Sequence, residues 1–181
     1  MDMTGINSNR AVAVMIDTTG MSVDLGHRVV EIGAVELVNR NLTLRRFHSF
    51  LNPGRESEPE ALALHELTTE FLEDKPQFSD IAGGFAEFLG DAVLVVQPYQ
   101  WTIGFLDREL ALANMPPTAM LGLGIQDVVE LAKQRAPGRS VSLNALCTRY
   151  KISRPGSLHG CALDAWMLAR AYLALTRRWS W

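Results

Sequence analysis

The apolar pattern of this chain changes its period once, after residue 58, and that change limits the folds it can adopt. Before it come three strand-like runs. Residues 11–16 (AVAVMI) are continuously apolar and stop at Asp17-Thr18-Thr19-Gly20; residues 27–39 are rich in Val and Ile; residues 42–51 follow and end in the turn Asn52-Pro53-Gly54. Short apolar runs bounded by turn residues predict buried strands, and three in succession predict an antiparallel meander. After the change the spacing is helical. Residues 59–67 predict a short helix. Residues 78–89 carry Ile81, Phe85, Phe88 and Leu89 on a helical stripe. Residues 103–114 end at Met115-Pro116-Pro117, residues 126–135 end before Pro137-Gly138, and further helices are predicted over 142–150 and 160–176. One apolar run, 92–96 (AVLVV), interrupts the helices and predicts a fully buried strand. Strands first, then helices around one more core strand, predict a mixed α/β sandwich.

The length of 181 residues predicts one domain with a sizeable core. Residues 1–9 are polar, without the basic-then-apolar order of a secretory signal, and are expected to be a flexible leader before a domain over 10–176 and a short tail over 177–181. Trp179 and Trp181 in that tail are expected to dock on the body or on a partner. No apolar run is long enough to cross a bilayer. Cys147 and Cys161 lie far from each other and outside any metal-ligand spacing, so two buried thiols in a reducing cytoplasm are expected. The formal net charge of −3 gives no sign of strong nucleic-acid attraction, yet it excludes nothing, because a nuclease site is itself acidic. There is no Gly-rich phosphate loop, zinc spacing or Ser/His/Asp signature.

The order of motifs carries a resemblance. Asp-Thr-Thr-Gly after the first strand is followed by VVEIGAVELVN (29–39), FLEDKP (71–76), IGFLDRE (103–109), SLNALCTRY (142–150) and LHGCALDA (158–165). This order resembles the DnaQ-like 3′–5′ exonucleases of the DEDDh type, in particular the proofreading ε subunit of bacterial DNA polymerase III, over residues 10–176. The resemblance implies a ribonuclease-H-like fold. It also implies hydrolysis of a 3′-terminal phosphodiester by two divalent ions, Mg²⁺ or Mn²⁺, ~4 Å apart and clamping the attacking and leaving oxygens. Hard cations take oxygen ligands, and the family supplies four carboxylates, with a His as general base.

Only part of that set is present. His159, the general base by resemblance, and Asp164, a metal ligand, stand five residues apart as in the family. The second motif reads Gln97-Pro98-Tyr99-Gln100-Trp101-Thr102, with Thr102 where the family has a metal-binding Asp. The first motif is short of one carboxylate. Without a gap, Met15 takes the place of the Asp and Asp17 that of the Glu; with a two-residue deletion, Asp17 is the Asp and the Glu is missing. The ungapped alignment keeps the strand at full length. Asp17 and Asp164 are thus expected to hold one ion weakly, or none, and exonuclease activity is expected to be lost or severely impaired. The alternative is an active exonuclease in which Asp24, Glu31 or Asp107 completes the ligand set. Glu31 is expected to be structural, and Asp107 to face another direction on its helix.

Thr18, Gly20, Met21, Ala61, Leu64, His65 and Trp101 match positions that surround the terminal nucleotide in the family. Trp101 suits either base stacking or core packing. The partners implied are a single-stranded DNA 3′ end and replication proteins, with no membrane. The family's C-terminal polymerase tether is not expected, since the chain ends at Trp181 soon after its last helix. Arg45-Arg46 and Arg177-Arg178 are expected to be solvated surface.

Overall fold

The computed structural model describes residues 9–121 and 124–177. Five strands form one mixed sheet in the order β3-β2-β1-β4-β5. β1 (Arg10–Thr18), β2 (Val29–Val38) and β3 (Asn41–Phe50) make the expected antiparallel meander. β4 (Val93–Val96) and β5 (Ile125–Asp127) continue it in parallel beside β1. The helices are α1 (Pro59–His65), α2 (Thr69–Leu72), α3 (Phe78–Leu89), α4 (Tyr99–Leu112), α5 (Val128–Arg135), α6 (Leu143–Arg149) and α7 (Gly160–Leu175).

Alternation along β1 splits the core into two layers, as the two-residue period of a strand requires. Val12, Val14 and Ile16 face one side, where Phe78, Phe85, Phe105 and Leu106 of α3 and α4 cover them. Ala11, Ala13 and Met15 face the other, against Ala165, Leu168, Ala169 and Ala171 of α7. The small residues on both sides of this second layer let α7 lie close to the sheet. Two buried carboxylates fix the elements, one between α4 and the start of β2 and one across the first three strands. Glu109 of α4 receives both arms of Arg28 at 2.8 Å and the Val29 N–H at 3.0 Å. Glu36 of β2 receives Arg10, Thr43 and Arg45.

Several predicted boundaries need correction. Residues 126–127, expected in a helix, pair with β4 as the end of β5, and α5 begins at Val128 with the Asp127 carboxylate capping the Val129 N–H at 2.8 Å. A strand of three residues has no period for a pattern to reveal. Helix α4 starts four residues early, at Tyr99, because Pro98 serves as its N-cap. The run expected from 27 pairs only from Val29, and the helix expected to 67 ends at His65, where Glu66 takes a left-handed φ of 60°. The four-residue α2 was not anticipated. Of the expected leader, Asn9 accepts a hydrogen bond from the Asn39 N–H at 2.7 Å, and the rest lies outside the described residues. The two terminal Trp residues also lie outside them. Among the described residues no helix is long and apolar enough to cross a membrane.

Candidate nucleic-acid and metal site

The site forms where the C-terminal end of β1 meets the N-terminus of α7. In the antiparallel register Met15 pairs with Gly33 and Asp17 with Glu31, so all four positions face α7. Helix α7 can enter here only because two residues lack a side chain. A Cβ on Gly33 would fall 2.3 Å from the Cys161 carbonyl. Gly160 has φ 54°, and a Cβ there would fall 2.3 Å from Glu31 Oε1. The N-cap His159 makes no side-chain capping bond. The cap comes instead from the sheet: Glu31 Oε1 accepts the Cys161 N–H at 3.0 Å, placing a carboxylate at the positive end of the helix. His48 Nε2 of β3 lies 2.7 Å from the same oxygen.

Asp17, Glu31 and Cys161 converge, each offering one ligand atom within 4.8 Å of the others. The Cys161 thiol donates to Asp17 Oδ2 at 3.4 Å and approaches the Glu31 carbonyl at 3.7 Å. Burial, then repulsion from Glu31, lifts the Asp17 carboxyl above the usual range. Burial, then Asp17, does the same to Asp164, against a smaller opposing pull from Arg154. Burial and the two neighbouring carboxylates push the Cys161 thiol well above its ordinary value. Cys161 is buried as expected, but it is no mere filler, because its sulfur sits among the acidic groups.

The other sequence-derived residues fall as follows. Met15 is half-buried and packs into the apolar layer under α7. Thr102 is 1% exposed on the first turns of α4. His159 is exposed at the mouth of α7. Asp107 is engaged elsewhere, accepting the Thr118 N–H at 2.7 Å, and Asp24 lies in the short 3₁₀ turn Val23–Leu25. Glu31 lies beside Asp17 without any rearrangement.

A cleft of about 140 Å³ opens next to Asp17. It is lined by Thr18, Gly20, Met21, Ala61, Leu64, His65 and Trp101, together with Glu58 and Glu60. Met21 and Leu64 expose their apolar side chains at its rim, at 72% and 84%. Trp101 lines the cleft, and its ring packs edge-on against Phe105 while Nε1 donates to the Met21 carbonyl at 3.0 Å. His65 is informative. Its Nδ1 accepts the Leu67 N–H at 3.0 Å, so the neutral ring carries its proton on Nε2. That Nε2 is shielded from solvent and has no partner among the described residues. Burial holds the ring below the usual imidazole range, against the pull of Asp17 and Glu31.

The donor set does not fit two hard cations. At two of the four positions where the resemblance implies carboxylates stand a thioether, Met15, and a buried hydroxyl, Thr102, and one oxygen of Glu31 already serves the α7 cap and His48. Among the described residues the ligand atoms that converge are those of Asp17, Glu31 and Cys161; Asp164 couples to Asp17 through its charge but is not among them, and two carboxylates suffice for one ion at most. Sequence reasoning missed His48 and the involvement of Cys161. The signal for Cys161 was its place one turn before Asp164 on the same helix face; nothing local pointed to His48.

The five-stranded mixed sheet carries Asp17 at the end of its central strand, which makes this an α/β domain with an acidic site, and residues 14–172 match the exonuclease family model RNase_T. The chain belongs to this family, in its DnaQ-like branch related to the DNA polymerase III ε subunit. It is 40% identical over 173 residues to the DNA polymerase III subunit epsilon of Rickettsia prowazekii, covering 94% of this chain and 76% of that subunit. It is likewise 40% identical over 173 residues to the Escherichia coli K12 subunit, covering 92% and 71%. Among solved structures, exonuclease X in complex with 5′-overhanging duplex DNA superposes with a TM-score of 0.72 at 19% identity, covering 91% of this chain and 90% of that one. Exonuclease I gives 0.80 at 14% identity over 94% and 42%. The family implies divalent-metal use.

Proposed function

We propose that this protein binds the 3′ end of a single-stranded nucleic acid in the Asp17 cleft without hydrolysing it at a meaningful rate, as a non-catalytic member of the ε-related exonucleases acting in replication or repair in the cytoplasm. The observation that carries binding is the cleft itself. Its seven nucleotide-pocket positions line one cavity, and the unpartnered His65 Nε2–H supplies a donor for a sugar or phosphate oxygen. The apolar rim of Met21 and Leu64, with Trp101 beside it, offers a stacking surface for a terminal base. Loss of hydrolysis is supported by the side chains of Met15 and Thr102, which offer no anionic oxygen. Where an ion binds, Asp17 and Glu31 would hold it, with the charge of Asp164 nearby, and it would supply charge stabilisation at the scissile phosphate. His159, exposed at the mouth of α7, would be placed to take a proton from an attacking water.

One observation favours the second reading, an active exonuclease with an altered ligand set: Glu31 stands next to Asp17 and gives the cluster a second carboxylate, with Asp164 near enough to feel the charge of both. A labelled single-stranded oligonucleotide separates the two readings. Retardation of the strand with no shortening in Mg²⁺ or Mn²⁺ is expected. Shortening that His159→Ala abolishes would overturn the proposal in favour of the second reading, and no retardation at low salt would overturn binding.

A further inference from the structure

The Cys161 side chain is 1% exposed, yet its sulfur is not in a purely apolar setting. It sits in the same acidic knot as Asp17 and Glu31, with its S–H directed at Asp17 Oδ2. It cannot retreat. The Cys161 backbone lies against Gly33, where even a methyl group would meet it at 2.3 Å, and its N–H is pinned to Glu31. An ion bound at Asp17 Oδ2 between the strands and α7 therefore meets this sulfur.

The consequence differs by cation. A hard ion such as Mg²⁺ or Mn²⁺ must displace the S–H from the Asp17 oxygen and gains no ligand in return, because it prefers oxygen. A thiophilic ion gains one. When Zn²⁺ or Co²⁺ binds, the S–H bond breaks, its proton leaves to solvent and the sulfur lone pair forms the metal bond; the cation's two charges offset those of the carboxylates. We propose that Cys161 sets the cation selectivity of the Asp17–Glu31 cluster, disfavouring the hard ions of exonuclease chemistry and admitting a single thiophilic divalent ion bound through sulfur and carboxylate oxygen. The inference builds on the reading of this site as unable to hold two hard ions, but its test is spectroscopic and indifferent to whether a strand is bound or cut.

The purified full chain is titrated with Co²⁺ and followed by absorption, and with Mn²⁺ and followed by electron paramagnetic resonance. The wild type is expected to develop a thiolate-to-cobalt charge-transfer band in the near ultraviolet. Cys161→Ala should lose that band and bind Mn²⁺ roughly tenfold more tightly, the size of one hydrogen bond to a charged group. Cys161→Ser, which keeps a donor near Asp17, should lose the band without the gain in Mn²⁺ affinity. Cys147→Ala should keep it. A wild type without the band, a band that survives Cys161→Ala, or equal Mn²⁺ affinity in wild type and Cys161→Ala would each overturn the proposal. A wild type without the band decides against the proposal even where a variant fails to fold, and Cys147→Ala assigns a band that is present. Exonuclease activity in the strand assay would sink the functional reading while leaving this result standing.

Discussion

Asp17 and Glu31 stand opposite each other on adjacent antiparallel strands, where like charges repel. Burial and that repulsion raise the Asp17 carboxyl. A carboxyl whose pKa is higher folded than unfolded binds its proton more tightly in the folded state. It therefore costs no stability in acid, where both states are protonated, and its cost grows as the pH climbs from the ordinary carboxylate range through the raised value. Asp17→Asn should accordingly raise the thermal midpoint at neutral pH, with the gain shrinking away below about pH 4. Melting curves across pH measure this, and an equal gain in acid would refute it. The missing ligands admit a test in the opposite direction. Met15→Asp, Asp17→Glu and Thr102→Asp together put carboxylates at the positions where the resemblance implies them. They should raise strand shortening in Mn²⁺ by about a hundredfold or more over wild type, since ~3 kcal/mol of metal clamping corresponds to that factor. Because Thr102 is 1% exposed, the new carboxylate there should also make the melting temperature rise on adding Mn²⁺, as an ion that binds only the folded state requires.

Helix α7 is held as much by what is missing as by what is present. Gly33 gives its backbone room, Gly160 takes the left-handed turn into it, and Glu31 caps it from the sheet. Any side chain at position 33 would push the helix N-terminus outward and carry Cys161 and Asp164 with it. Gly33→Ala should therefore cost about 3 kcal/mol, read as a lower midpoint in urea. It should also weaken the Co²⁺ band, because the cap and the cluster share one carboxylate. A substitution that costs stability but leaves the band unchanged would show that α7 can shift without disturbing the knot.

At the scale of the whole molecule the charges are mixed, with a net of −3, and the cleft is rimmed by Glu58 and Glu60 rather than by Lys or Arg. A strand end held there is gripped mainly by stacking and by few phosphate contacts. The affinity should then fall with salt at a modest log–log slope of about −1.4, the value for two neutralised phosphates on a single strand. Fluorescence anisotropy at several salt concentrations measures it, and a slope steeper than about −4 would point to a basic track elsewhere on the surface. The sequence by itself determined the strand meander, the placing of most helices and the family, because apolar period and motif order are properties of contiguous segments. Motif order singled out Asp17, Asp164 and the seven residues that line the cleft. Only the tertiary structure decided that residues 125–127 join the sheet, because a strand so short exists by pairing with β4. Only the tertiary structure joined Asp17 to Glu31 and Cys161, with Cys161 130 residues from Glu31 along the chain. Strand register and helix docking set that meeting, and neither is written in any local stretch of residues.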